Sequence, residues 1–552
     1  MRRVLNESDI GVPPARCVAG ACRDVGPGMT VGGICPCGGW PAPRPPATVG
    51  RSDSPISFGG LLVFARSRTH RLRRFVLTGA VLAAAAGLAG PASAAHAAES
   101  ADAAAATTGA HGTFSVHRDG RPAVVPFRTG RDGEALVTLT VAAPGVDWGK
   151  AGAESAVVQL FVDGRPAGDV VVFGATPTER GFALGALRKG RHELSIRFAA
   201  DRSSPAGSVV HISRLRTRTI ATGDREHAVA ANAPVLYGRN IPGAPGGATG
   251  PFQNAVTDTP VLAWYQEAPA ATAGNRVLTY TIVWSNEDGG TSTPALMARW
   301  GRTTDIEWAY RVEVDRRGRA VPGTAFFQSP NHGTTPFAGR YEDGHPLLQT
   351  CTLNNNLCDV VDDPMRFAPA AVERLADPTR TAREEMVDRH PWVYPVMVRE
   401  MRREGRVVAD PPADTTTLIA DPTDYLYAVI RKTTSEPPAG AAGWNGVALG
   451  VRVKGDPTLY RSDRGRVDWS LQRDDPAATT VRLPHGTQAS DIVEVVVIRT
   501  VAGVDPGGTI TVHGINRAFL LGRDDRPGRA VPVHPESVTL TAAAPQAVLY
   551  RR

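Results

Sequence analysis

Short apolar runs, broken at near-regular intervals by turn dipeptides, constrain this chain more than anything else in it. "SAVVQLFVDGRPAGDVVVF" (155–173) sets two such runs around Asp163-Gly164, and "GFALGALRKGRHELSIRF" (181–198) sets two more around Lys189-Gly190. Asp-Gly between apolar runs is a hairpin signal, because both turn positions need a positive φ that Asp and Gly tolerate. In the second stretch Leu194, Ile196 and Phe198 alternate with polar residues. That is the period of a strand with one buried face. Several short strands with such punctuation predict a β-sandwich over 112–220.

The same texture continues downstream. An Ala, Gly and Pro-rich stretch at 221–247 reads as a linker, and 248–410 as a β-rich central region. From about 228 onward, overlapping the end of that stretch, "PVLYGR" (234–239), "PVLAWYQ" (260–266) and "RVLTYTIVW" (276–284) read as strands, and 299–315 as a strand pair or one long strand. A helical insert is predicted over 379–404, with Thr379 or Thr381 as its cap. It breaks at His390-Pro391 and resumes near Pro395, and Gly405 is its stop. Residues 411–552 return to strands, as a C-terminal β module or the second half of the central domain. The fold class is therefore mainly β, with multiple sandwich or jelly-roll-like modules. The phrase "LGALRKGRHELSIRF" (184–198) resembles the jelly-roll accessory modules of exported carbohydrate enzymes. A plain structural sandwich explains that hairpin equally well.

The chain has 552 residues and a formal charge of +7, yet the first 97 residues hold eleven arginines against four acids and account for all of it. The remainder is neutral and offers no field for a nucleic acid. Arg66 to Arg74 form a basic region ahead of "FVLTGAVLAAAAGLAG" (75–90), and "ASA" (92–94) and "AHA" (95–97) fit small-residue cleavage sites. This predicts an export signal over 61–97 and a secreted protein with no membrane span left after cleavage. "RRFVL" (73–77) resembles a twin-arginine signal; the general secretory route is the alternative. Residues 1–60, which carry Cys17, Cys22, Cys35 and Cys37, read as a non-structural extension, and 98–111 as a flexible start. Cys351 and Cys358 remain beyond the signal, and in an exported chain they predict one disulfide.

Candidate chemistry gathers within about eighty residues. In "RWGRTTDIEW" (299–308), Asp305 and Glu307 stand two apart and share one face of a strand, with Ile306 on the other. Such a pair suits general acid–base work or metal ligation. Trp300 and Trp308 would supply stacking surface. The competing reading pairs the two acids with Arg299, Arg302 or Arg311 and makes them structural. "SNEDGGT" (285–291) places Glu287 and Asp288 either at a cation or, as Asp-Gly ending an apolar run indicates, in a hairpin turn. "NHGTTPFAGRYEDGHPLL" (331–348) adds His332 and His345, candidate catalytic partners of Asp305 and Glu307. Glu342, Asp343, Asp359 and Asp362 are candidate ligands for calcium or another divalent metal, beside "NNN" at 354–356. No G-x-S-x-G elbow, P-loop or helix-opening G-x-G-x-x-G occurs, so serine hydrolases and nucleotide enzymes have no support.

The order "APVLYGR", "TIVWSNEDGG", "TTDIEWAYRVEVDRRG", "FFQSPNHG" over about 230–360 resembles the family of vacuolar protein sorting-associated protein 62. There an apolar strand, an acidic "DWE"-type motif, a strand and a histidine follow in similar order, so Asp305, Glu307 and His332 would match. This chain departs by placing Ile306 between the acids and "TLNNN" where a small-residue segment belongs. That family has no settled activity, so the resemblance implies fold more than function. Two functions remain open: binding of extracellular polysaccharide or cell-wall material, and secreted hydrolysis at Asp305, Glu307, His332 and His345.

Overall fold

The computed structural model describes residues 108–244, 250–474, 476–533 and 537–552. The extension at 1–60, the export signal at 61–97 and most of the flexible start lie outside them. The last four residues read as that start, Thr108–His111, form a strand antiparallel to Val209–Ala221.

The N-terminal sandwich has two antiparallel sheets. One runs in the order Thr108–His111, Val209–Ala221, Gly133–Ala142, Thr178–Leu187, with Phe114–His117 also on Val209–Ala221. The other runs Ala123–Thr129, Gly190–Phe198, Ala156–Val162, Arg165–Val172. Leu139, Val158, Leu160, Leu194, Ile196 and Ile212 fill the space between. The Asp163-Gly164 pair makes the predicted hairpin, both residues at positive φ (50° and 80°). The Lys189-Gly190 pair does not. Thr178–Leu187 bonds to Gly133–Ala142, and Gly190–Phe198 to strands of the opposite sheet. The link is a corner between sheets, and neither residue has the positive φ that a two-residue hairpin requires.

The central sheet is an antiparallel meander: Pro260–Pro269, Arg276–Trp284, Asp305–Val314, Phe326–Ser329, Gly333–Pro336. Its second and third strands are joined through the helix Thr293–Trp300, so "SNEDGG" is no hairpin turn and Arg299 and Trp300 are not on a strand. Ser292 precedes this helix, Pro294 sits in its first turn, and Gly301 ends it at φ 63°. The stretch read as a linker is built in as well. Val235–Tyr237 lies parallel to His345–Thr350, and Arg239 is fully buried.

The helical insert forms as two helices, Glu385–Arg389 and Val393–Arg403, parted at His390-Pro391. Neither predicted threonine caps it; Thr379 bonds Asp377 instead. Val393, Val396, Met397 and Met401 face the core at helical spacing. A second sandwich follows. Tyr425–Thr434, Ala477–Arg482 and Ile510–Leu521 form one sheet, and Gly443–Val453, Ile492–Gly503 and Gln546–Arg551 the other. One continuous core joins Trp148 and Val171 of the first sandwich, Trp264, Tyr280 and Trp284 of the meander, Met397 of the helix, and Tyr427 and Phe519 of the second sandwich. Among the described residues no helix is long and apolar enough to cross a membrane.

His345, a candidate catalytic residue, serves this assembly. It is buried, its Nδ1 donates to Ala233 O at 2.8 Å, and its Nε2 lies 3.2 Å from Glu134 Oε2 of the first sandwich. Both ring nitrogens face acceptors, which suits the imidazolium. Burial pushes the ring's pKa down, but Glu134 and the Ala233 carbonyl more than reverse this and raise it. A raised histidine pKa stabilises the fold below the ordinary value of about 6.5 and loses that contribution as pH rises through the folded value. Thermal unfolding from pH 6 to 9 should therefore fall more steeply for the wild type than for His345→Gln. Parallel curves would rule the pair out as a contributor.

Candidate functional site

Asp305 opens the third strand of the meander opposite Trp284, and Glu307 lies opposite Ile282. The two carboxylates share one face, as the strand period requires, while Ile306 enters the core. None of the three nearby arginines bonds either acid. Arg302 reaches Glu384 and Thr304 O, Arg311 lies over Trp308 and Phe326, and the Arg299 carbonyl accepts from Arg473. Neither tryptophan presents a bare ring. Trp300 has the guanidinium of Arg473 3.9 Å from its centroid, and Trp308 has that of Arg311 at 5.0 Å.

Three other segments close on the acids. The loop after Arg276–Trp284 brings Glu287, only 6 % exposed, whose Oε1 accepts from Thr291 N at 2.9 Å. The turn between Phe326–Ser329 and Gly333–Pro336 brings His332, with Nδ1 3.7 Å from Glu307 Oε2. Asn331 and His332 both hold positive φ (61° and 57°), a costly pair of conformations for residues other than glycine. The third segment is "CTLNNNLC", closed by the predicted Cys351–Cys358 disulfide. Asn355 Nδ2 donates to Asp305 Oδ2 at 3.1 Å and to the Asn286 carbonyl. Asn354, its amide oriented by its neighbours, donates to Glu287 Oε1 at 2.8 Å and to Gly289 O, and accepts from His332 Nε2 at 2.9 Å. This approach needs glycine on the other side: a Cβ on Gly290 would lie 2.5 Å from the Asn354 side chain. The disulfide thus clamps two amides that tie Glu287, His332 and Asp305 together. Chain entropy assigns a loop this short about 2–3 kcal/mol. Cys351→Ser with Cys358→Ser should lower the unfolding free energy in urea by about that amount. An unchanged midpoint would show the loop holding without its clamp.

The charges within the cluster are pushed apart. Asp305 is fully buried; burial first, then the charges of Glu307 and Glu287, hold its carboxyl well above the usual range. Among the described residues its Oδ1 has no hydrogen-bond partner, a lack that costs a neutral carboxyl less than a charged one. Burial also pushes Glu287 up, to about 7, with Glu307 adding to it and the Thr291 N–H, Arg302 and His332 opposing. Burial would raise Glu307 too, but His332, Arg383 and Gln328 outweigh it and hold Glu307 below the usual range. The side chain of His332, 35 % exposed, is where the cluster meets solvent.

The other candidates lie elsewhere. His345 pairs with Glu134. Glu342 takes both terminal nitrogens of Arg366, at 2.9 and 3.0 Å. Asp359 accepts from Ala338 N, Asp362 accepts from Gln349, and Asp343 holds a left-handed turn (φ 50°). Glu342, Asp359 and Asp362, all read as metal ligands, therefore answer separate partners. Among the described residues no group of three or more His, Cys, Asp or Glu is placed to hold a metal ion.

No family model and no curated protein matches the chain, so the resemblance to the vacuolar protein sorting-associated protein 62 family gains no support. Solved structures do. The CBM36-1 domain of a multidomain xylanase from the hindgut metagenome of Trinervitermes trinervoides is 16 % identical at a TM-score of 0.15, over 21 % of this chain and 93 % of that one. The EclA C-terminal domain, a sugar-binding protein, is 18 % identical at 0.15, over 22 % and 84 %. A beta-glucosidase from Paenibacillus barengoltzii is 16 % identical at 0.14, over 19 % of this chain and 10 % of its own length. Each of these likenesses covers about a fifth of this chain.

Proposed function

We propose that this is an exported protein that hydrolyses a glycosidic bond in extracellular glycan or cell-wall material, with Glu287 and Glu307 as acid and base. The observation that carries it is the convergence of His332 with Glu287, Asp305 and Glu307, three carboxylates whose proton affinities are pushed apart. Such a split assigns roles. Glu287, protonated up to about pH 7, gives its proton to the leaving glycosidic oxygen as the C–O bond breaks. Glu307, held ionised beside His332, takes a proton from the water that attacks the anomeric carbon. Asp305 orients the Asn355 amide and keeps the floor of the cluster neutral. The basic, alanine-rich leader supports export.

Binding without turnover is the second reading. Its support is the closure of the cluster: Asp305 has no exposure, and His332 is the exposed member. The test incubates the full secreted chain with soluble and insoluble cell-wall polysaccharides, measuring released reducing ends and retained protein. Turnover by the wild type, lost in Glu307→Gln, supports hydrolysis. Retention without turnover supports binding alone. Equal turnover in wild type and variant removes the acid–base assignment.

A further inference from the structure

A cavity of about 280 Å³ lies where the first sandwich, the helix Val393–Arg403 and the second sandwich meet. Its lining includes Trp148, Phe173 and Trp392, together with Arg180, Arg399 and Arg526. Trp148 and Phe173 meet edge to face at 5.0 Å, and Phe173 and Trp392 are stacked at 6.2 Å. Phe173 and Trp392 are each partly exposed.

Arg180 is the feature that asks for a ligand. It is 6 % exposed, and no carboxylate pairs with it among the described residues. Two of its five N–H donors go to the carbonyls of Val171 at 3.3 Å and Val261 at 3.2 Å. Its guanidinium lies 4.6 Å from the Trp392 centroid and 5.4 Å from those of Phe173 and Phe182. Burial without a counter-charge pushes its pKa down to about 9. Buried arginines are ordinarily paired, because an unpaired buried charge is costly. Arg239 in this same protein has two carboxylates. The rim adds positive charge: Arg399 is 3.7 Å from Asp147, outside the cavity, and Arg526 stands beside Asp524, the one lining acid among the described residues, which accepts the Arg526 backbone N–H at 3.3 Å. A cation walled by aromatic faces matches a ligand with both a negative group and a flat apolar face.

We propose that this cavity binds a carboxylate carried on a six-membered ring. The carboxylate takes the remaining donors of Arg180, and the ring packs beside that guanidinium against Trp392 and Phe173, whose rings the guanidinium already meets. A uronate sugar and an aromatic acid share this chemistry. The site stands apart from the Glu287–Glu307 cluster and does not depend on turnover there.

Titration calorimetry on the full chain tests it with sodium D-glucuronate, sodium benzoate, D-glucose and sodium acetate. One or both ring carboxylates should bind about tenfold or more tightly than glucose, which lacks the charge, and acetate, which lacks the ring. Which of the two wins identifies the source as saccharide or aromatic acid. Arg180→Gln and Trp392→Ala should each weaken that binding by about tenfold or more. Should Arg180→Gln not fold, the partly exposed Trp392→Ala decides alone. Binding of glucose or acetate as tight as that of the ring carboxylates, no binding of either ring carboxylate, or unchanged binding by Trp392→Ala overturns the proposal.

Discussion

Glu307→Gln should lower turnover by about 10²- to 10⁴-fold, the range that a positioned acid or base contributes, and Glu287→Gln should do the same. Both substitutions keep shape and remove the ability to exchange a proton. The wild-type pH profile should be bell-shaped. Its acidic limb belongs to Glu307, which must lose its proton and does so below the ordinary glutamate range. Its basic limb belongs to Glu287, which must keep its proton and releases it at about 7. Activity therefore rises as pH passes upward through the first value and falls as it passes through the second. Asp305→Asn is the contrasting variant. Asp305 is held neutral by burial, and an asparagine carbonyl can still accept from Asn355. It should lose far less activity than the glutamate variants. An Asp305→Asn enzyme as dead as Glu307→Gln would move the acid role from Glu287 to Asp305.

Arg239→Met should cost about 3–5 kcal/mol of unfolding free energy, the range for stripping one partner from a buried ion pair. Arg239 is fully buried, with Nη1 and Nη2 each 2.7 Å from a carboxylate, those of Asp258 and Asp288. Asp288 keeps Arg406 at 2.8 Å after the change, but Asp258 loses its ion partner. The Asp258 backbone N–H is tied to Glu400, which also accepts from Trp148 Nε1 and Thr257, so the damage is not local. Burial and Asp288 already push Asp258 upward, with Arg239 opposing them. Without the arginine its folded value rises further, so the variant's deficit should grow with pH and shrink in acid. Urea melts at pH 5 and pH 8 measure both effects. A loss below about 1 kcal/mol at both would place the network among pairs whose desolvation cancels their attraction.

What could be read ahead of the structure follows the range of the interactions involved. The Asp163-Gly164 hairpin is local: alternation fixes the faces, and two positive φ angles fix the turn. Lys189-Gly190 carries a similar local signal, yet its strands belong to opposite sheets, because Gly133–Ala142 competes for Thr178–Leu187. The helix Thr293–Trp300 was marked by Ser292, Pro294 and Gly301, but eight residues give too few turns for a clear apolar stripe. At the candidate site the shared face of Asp305 and Glu307 follows from period alone. The burial of Glu287 does not, since Asp-Gly-Gly after an apolar run is equally good hairpin chemistry. Asn354 and Asn355 reach the acids only because a disulfide loop, a strained histidine turn and the Gly289-Gly290 step meet in space. His345 looked interchangeable with His332, and only the packing of Glu134 against it sets the two apart.

The wedging of Trp148 beneath the helix Val393–Arg403 bears on how such a chain can be reshuffled. Its indole N–H is anchored to Glu400 and its carbonyl to Arg403, some 250 positions away. Cutting after the first sandwich would strand an indole in water on one fragment and leave a buried glutamate short of one donor on the other. The front module is therefore a poor cassette for fusion or exchange, however detachable its own strand order looks.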